Sequence, residues 1–201
     1  WGTASQQGIP DAGIATYTEM VGRVETLCRT VKAGVIADAD TGYGGLLNVD
    51  HTVRGYEAAG AVGIQLEDQE FPKKCGHTPY KRVVPTQDMV NKIKVACEAR
   101  QSPETLIIAR TDARAVEGFQ GAIDRGLAYR DAGADVVFVE ALESEDEMRR
   151  SNELIDAPTM ANMADGGKTP ILTAEALENM GYNLAIFPSL TGLAAAAAAE
   201  R

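Results

Sequence analysis

Acidic residues recur in this chain at the ends of short apolar runs, and two of them stand one residue apart in Asp38-Ala39-Asp40. Side chains alternate faces along an extended strand, so this spacing predicts both carboxylates on one side. Neighbouring carboxylates repel unless a cation lies between them. Magnesium suits such a pair. It prefers oxygen ligands and accepts one or two carboxylates, filling its shell with water and substrate oxygens. Glu67 ends the next apolar run, in position to hold a metal-bound water. A D-x-D spacing alone is equally well explained by a solvated strand end, and Glu67 alongside turns the reading toward metal.

A second group is Lys73-Lys74-Cys75-Gly76-His77, in a long polar stretch over residues 69–84. Long loops inside compact domains often act as lids. A cysteine flanked by two lysines and a histidine is suited to exchange a proton near neutrality, and Gly76 permits close backbone approach to a ligand. The plain alternative is a charged loop with an incidental cysteine. Cys28 and Cys97 fall in helical stretches among apolar neighbours and read as core. Three widely spaced cysteines without a CxxC do not make a disulfide framework.

The third group is Arg110, Glu140 and Asn162, each at the end of an apolar run. A guanidinium there suits bidentate capture of a carboxylate. It would equally form a salt bridge to Glu140 or Asp112, and the two roles are compatible. The Asn162 amide is expected to donate to a substrate carboxylate. His51 reads as structural.

Six apolar, β-branched runs must position these groups: residues 35–40, 62–68, 106–112, 136–141, 158–163 and 184–189. Helix-forming stretches separate them, at 19–32, 86–100 (with Thr86 as cap), 121–132, 144–155 and 173–180. Strands alternating with helices predict a parallel sheet. Gly60, Gly133 and Gly181 precede strands, as left-handed helix caps do. Polar residues at the ends of parallel strands point to the C-terminal rim of an α/β barrel. An open dinucleotide-binding sheet would need a G-x-G-x-x-G turn, and none follows these runs.

With 19 basic and 29 acidic residues the formal charge is −10. That disfavours nucleic acid and anionic membranes as partners, but not an anionic substrate, since a bound cation reverses the sign locally. An apolar fraction of 45% and a charged fraction of 24% are ordinary for a globular domain. No run is long enough for a membrane span. The composition and cysteine usage lead us to expect a cytoplasmic protein, with organellar targeting left open. The chain reads as one domain over residues 1–201, cut at both ends.

Taken together, IPDAGIAT, VIADADTGYGG, GIQLEDQ, KKCGH, IIARTDA, AGADVVFVEA and ANMADGGKTP resemble the isocitrate lyase and phosphoenolpyruvate mutase superfamily. The pentad is similar to that of its carbon–carbon lyases: the branch of methylisocitrate lyases, dimethylmalate lyases and oxaloacetate hydrolase-like relatives. The resemblance implies a (β/α)8 barrel, of which this chain covers about six units, with two strands preceding it. It implies Mg²⁺, with Mn²⁺ as substitute, served by Asp38, Asp40, Glu67 and nearby Asp11. Cys75 would be the acid that protonates an enediolate, with Lys73 and Arg110 as catalytic partners. Gly76, His77, Arg110, Glu140 and Asn162 would contact substrate.

Methylisocitrate lyases bind a third carboxylate with a Thr and an Arg where this chain has Ala164 and Leu193. A small 2-hydroxy dicarboxylate such as a 2-alkylmalate, cleaved by retro-aldol chemistry, is therefore expected as substrate. The alternatives are methylisocitrate cleavage, oxaloacetate hydrolysis or decarboxylation, phosphonomutase-like chemistry, and a non-catalytic acidic binding protein. The resemblance also implies a homotetramer with exchanged C-terminal helices.

Overall fold

The structure is a computed structural model that describes residues 2–200. Six strands form one sheet in chain order, every pair parallel. They are β1 (Ile36–Asp38), β2 (Gly63–Glu67), β3 (Leu106–Thr111), β4 (Val136–Val139), β5 (Thr159–Asn162) and β6 (Leu184–Ile186). The helices are α1 (Gly2–Gln7), α2 (Tyr17–Thr30), α3 (Leu46–Ala58), α4 (Thr86–Ala99), α5 (Arg114–Asp131), α6 (Glu145–Leu154), α7 (Ala174–Asn179) and α8 (Leu190–Ala199). Sequential order with parallel pairing is the topology of repeated βα units. Ile36 of β1 and Ile186 of β6 line the same cavity, so the sheet curls until its two edges face each other.

All six apolar runs become strands, each shorter than its run. The fully buried β4 carries apolar side chains on both faces, whereas the equally buried β2 turns Ile64 and Leu66 to one face and Gln65 and Glu67 to the other. Helix positions follow apolar spacing. On α3, Val49, Thr52, Val53 and Tyr56 form one buried stripe. Helix α2 starts earlier than expected, because Thr16 and Glu19 make a capping box. Thr86 opens α4 but does not cap it; Pro85 holds that position without a side-chain bond. Helix α5 begins at Arg114 and kinks at Gly118, whose φ is 80°. Gly60, Gly133 and Gly181 are left-handed, with φ of 101°, 107° and 95°.

The core lies in two large bodies and a small cluster of Ile108, Val136, Phe138 and Met160 on β3, β4 and β5. One packs α2, α3 and α4 on β1–β3 around Val53, Tyr56, Leu66, Met89 and Ile93. The other packs α5–α7 on β4 and β5 around Ile123, Val137, Met148 and Ile155. Among the described residues no helix is long and apolar enough to cross a membrane.

Candidate active site

A cavity of about 510 Å³ opens at the C-terminal ends of the strands. Successive strands contribute Asp38, Glu67 and Arg110; Glu140 follows β4 and Asn162 ends β5. The loop after β2 roofs the cavity with Lys73, Cys75, Gly76 and His77, and Asp11 closes one side. The predicted site residues other than Asp40 all line this space, and Asp40 is linked to it through Lys73.

The two aspartates of the D-x-D come together by a different route from the one expected. Strand β1 ends at Asp38, and Asp40 is left-handed, with φ of 47°. Alternation along a strand therefore does not apply. A tight turn, in which the Asp40 N–H donates to Asp38 Oδ1 at 2.9 Å, sets the pair instead. Burial and the neighbouring Asp38 both push the Asp40 carboxyl above its usual range.

Lys73 is not where the sequence placed it. Its ammonium turns from Cys75 to the acidic group, 2.6 Å from Asp11 Oδ1 and 2.9 Å from Asp40 Oδ1. Burial works against its charge, but Glu67, Asp38 and Asp40 outweigh that cost, and its pKa rises. Burial likewise opposes the Asp11 carboxylate, which the Lys73 bond and charge nevertheless hold below its ordinary value. The other cations flanking Cys75 are also engaged elsewhere. Lys74 Nζ donates to the Tyr80 carbonyl, and His77 Nδ1 accepts from the Lys168 N–H. The expected convergence of positive charge on a half-buried Cys75 is thus not formed, because carboxylates and carbonyls compete for it.

Among the described residues no group of three or more His, Cys, Asp or Glu side chains is arranged to hold a metal. Of the four predicted metal residues, Asp11 and Asp40 are bonded to Lys73. Asp38 makes no salt bridge among the described residues, and the buried Glu67 Oε1 has no hydrogen-bond partner. Burial pushes the Glu67 carboxyl well up, with Arg110 pulling the other way. A buried, unpartnered carboxylate oxygen beside a second acid is a place for a cation, which reverses the local cost of charge. Two carboxylates completed by water fit a magnesium-like ion.

Arg110 is the hub of the opposite wall. It is bidentate to Asp112, at 2.9 and 3.0 Å, and lies 3.2 Å from Glu140 Oε2 and 3.5 Å from Glu67 Oε2. The salt bridge to Asp112 and that to Glu140 thus both exist. Burial disfavours the guanidinium, but these three acids hold it charged. Asn162 Nδ2 donates to Glu140 Oε2 at 3.1 Å, leaving a buried Oδ1 unpartnered. The amide expected to meet a carboxylate is thus committed to Glu140, and the remaining acceptor suits a hydroxyl donor. His77 Nε2 lies 3.3 Å from Glu140 Oε1. Gly76 is required by space. A Cβ there would run into Arg110 Nη2 and come within 2.8 Å of Glu140 Cγ. Ala164 and Leu193 line the cavity as its apolar side. His51 lies outside it, its ring 4.6 Å from that of Tyr17, in keeping with a structural role.

Asp112, offered by the sequence as a salt-bridge partner, anchors Arg110. Gly167 was not foreseen. Gly167 makes room for His77, since a Cβ would come within 2.7 Å of His77 Cε1. No local signal marks that long-range contact.

Fold and site together define a parallel α/β protein of the barrel type, with its acids, one arginine and a thiol gathered at the strand ends. The chain belongs to the phosphoenolpyruvate phosphomutase family, whose profile matches residues 1–201. It is 51% identical over 187 residues to 2,3-dimethylmalate lyase of Eubacterium barkeri, covering 93% of this chain and 65% of that protein. It is 46% identical over 192 residues to 2-methylisocitrate lyase of Aeropyrum pernix, covering 96% of this chain and 62% of that protein. The chain thus spans just under two thirds of the length of these relatives. Among solved structures, a 2,3-dimethylmalate lyase superposes with a TM-score of 0.93 at 38% identity, over 99% of this chain and 68% of the other. A phosphonopyruvate hydrolase complexed with oxalate and Mg²⁺ superposes with a TM-score of 0.85 at 30% identity, over 98% and 69%.

Proposed function

We propose that the protein is a divalent-cation-dependent lyase that cleaves a carbon–carbon bond of a small 2-hydroxy dicarboxylate, with a 2-alkylmalate as substrate class. One juxtaposition carries the reading: a half-buried thiol on a loop docked against Arg110 and Glu140 shares its cavity with the Asp38–Glu67 acid group. Similarity to the dimethylmalate lyase, at 51% identity, supports it.

The reaction is a retro-aldol cleavage. As a general base takes the proton of the 2-hydroxyl and its carbon becomes a carbonyl, the bond to the neighbouring carbon breaks. The electron pair passes into the carboxylate-bearing fragment as an enediolate, whose carbon then takes a proton from the Cys75 thiol. Asp38 and Glu67 would hold a divalent cation, Mg²⁺ or Mn²⁺, which supplies positive charge where oxygen charge develops. Arg110, fixed from behind by Asp112, offers a charged donor aimed at a substrate carboxylate. Glu140 holds Arg110 and Asn162 in register. The loop excludes water from the enediolate.

The apolar side at Ala164 and Leu193 offers no partner to a third carboxylate. Burying one unpaired costs several kcal/mol, which favours C4–C6 diacids over methylisocitrate. Release of pyruvate, glyoxylate and acetate should be assayed over a panel of 2-hydroxy and 2-oxo diacids. A 2-alkylmalate is expected to give the highest kcat/KM. A higher value for methylisocitrate would overturn the substrate ranking. Turnover of oxaloacetate alone would replace the lyase by a hydrolase or decarboxylase.

A further inference from the structure

We infer that Lys81 is a positioning residue that latches the cysteine loop over the site and ties its closure to Arg110. Its side chain is 1% exposed, an unusual place for a lysine in a polar loop. The ammonium donates to the Gly76 carbonyl and, at 2.7 Å, to Asp112 Oδ1. That same carboxylate grips Arg110. One aspartate is therefore shared between the arginine of the cavity wall and the lysine that holds the roof.

The position of Lys81 in its own loop makes it a fixed post. The loop base is a short antiparallel pair. The Glu70 N–H donates to the Arg82 carbonyl and the Val84 N–H to the Asp68 carbonyl, both at 2.9 Å. Asp68 is itself buried and accepts from the Asp112 N–H, the Thr111 hydroxyl and the Tyr129 hydroxyl. Lys81 thus projects from an anchored segment toward the tip. On the other side of Cys75, the Gln69 side chain accepts from the Lys74 N–H and donates to the Lys74 carbonyl. The backbone is clamped on both sides of the thiol, at Lys74 by a neutral amide and at Gly76 by a charged lysine. The second clamp is the one wired to Arg110.

The catalytic readout of this inference rests on the lyase reading, whereas the loop readout does not. Lys81→Met should be compared with the charge-balanced pair Lys81→Met/Asp112→Asn, which removes the lysine and its carboxylate together. Alkylation of Cys75 by iodoacetamide, followed by mass mapping of that residue, reads loop opening. Losing a hydrogen bond from a charged donor should speed it about tenfold. Turnover of the best panel substrate should fall about 10²-fold in kcat with KM little changed, as for a group misplaced by a fraction of an ångström. A parent-like alkylation rate with parent-like kcat in the folded variants would overturn the latch. If neither variant holds its fold, Lys81 is a stability residue and the inference fails. A parent protein that cleaves no acid of the panel, with faster Cys75 labelling in the variants, would sink the lyase reading and leave the latch standing.

Discussion

Gly76→Ala should separate loop closure from folding. The added Cβ would lie 2.8 Å from Glu140 Cγ and 2.9 Å from Glu140 Cδ, besides striking Arg110 Nη2. Carbon atoms rest comfortably about 3.5–4.0 Å apart, so the surfaces must part by roughly 1 Å. Glu140 cannot supply that movement. It is buried and held by Arg110, by Asn162 and by the Ala141 N–H. The loop must lift instead, carrying Cys75 with it. Overpacking of this kind costs about 1–3 kcal/mol. Charged to the closed loop alone, that lowers its population by about 5- to 150-fold. The expected result is a loss of kcat/KM on a 2-alkylmalate within that range, with Tm near that of the parent. Full activity would show that the loop does not close against Glu140 during turnover. A collapse of Tm with normal activity per folded molecule would show that the clash falls on the core.

Cys75→Ser keeps the side-chain shape but is a far weaker acid, so kcat should drop by ~10²–10⁴-fold with KM little changed; parent-like turnover in stopped assays would remove Cys75 as the proton donor. Exhaustive chelation should abolish activity, with Mg²⁺ or Mn²⁺ restoring it. Asp38→Asn should weaken Mg²⁺ binding in calorimetric titration, and unchanged binding would take Asp38 out of the ligand set. The Asp112 carboxyl is opposed by burial, yet Arg110 and Lys81 hold it down to about 2 against an ordinary 3.8. Its contribution to stability should be full above about pH 4 and be lost as the pH falls toward 2. Parent and Asp112→Asn denaturation curves should therefore converge over that window, and a constant gap would refute the assignment. Light scattering of the full-length protein should give a tetramer, and a monomer at micromolar concentration would count against helix exchange.

The periodicity of the sequence was enough to place all six strands, because short apolar runs between helix-forming stretches have few other options. Strand ends were less legible. Asp40 looked like strand by spacing, but the chain turns left-handed there, which only the three-dimensional environment of Asp38 and Lys73 decides. Arg110, Glu140 and Asn162 were found because polar residues at the ends of buried strands converge at one rim. Lys73 was misread for a different reason. It stands two residues before Cys75, yet its partners are Asp40 and Asp11, the latter 62 residues away, and a flexible ammonium follows the nearest carboxylates. Contacts such as His77 with Gly167 and Lys81 with Asp112 depend on where a long loop lands, which no local pattern encodes.

The apolar side at Ala164 and Leu193 belongs to segments after β5 and β6, whereas Asp38, Glu67 and Arg110 stand on β1 to β3. On the proposed lyase reading, the side that discriminates between acids and the groups that would hold the cation therefore sit on different arcs of the sheet, fed by different loops. A substitution at Ala164 or Leu193 should then change which acid is taken while leaving Asp38, Glu67 and Arg110 in place. The architecture makes changes of diet inexpensive and changes of reaction hard, so descendants of such a scaffold should diversify first in what they cleave and only later in how.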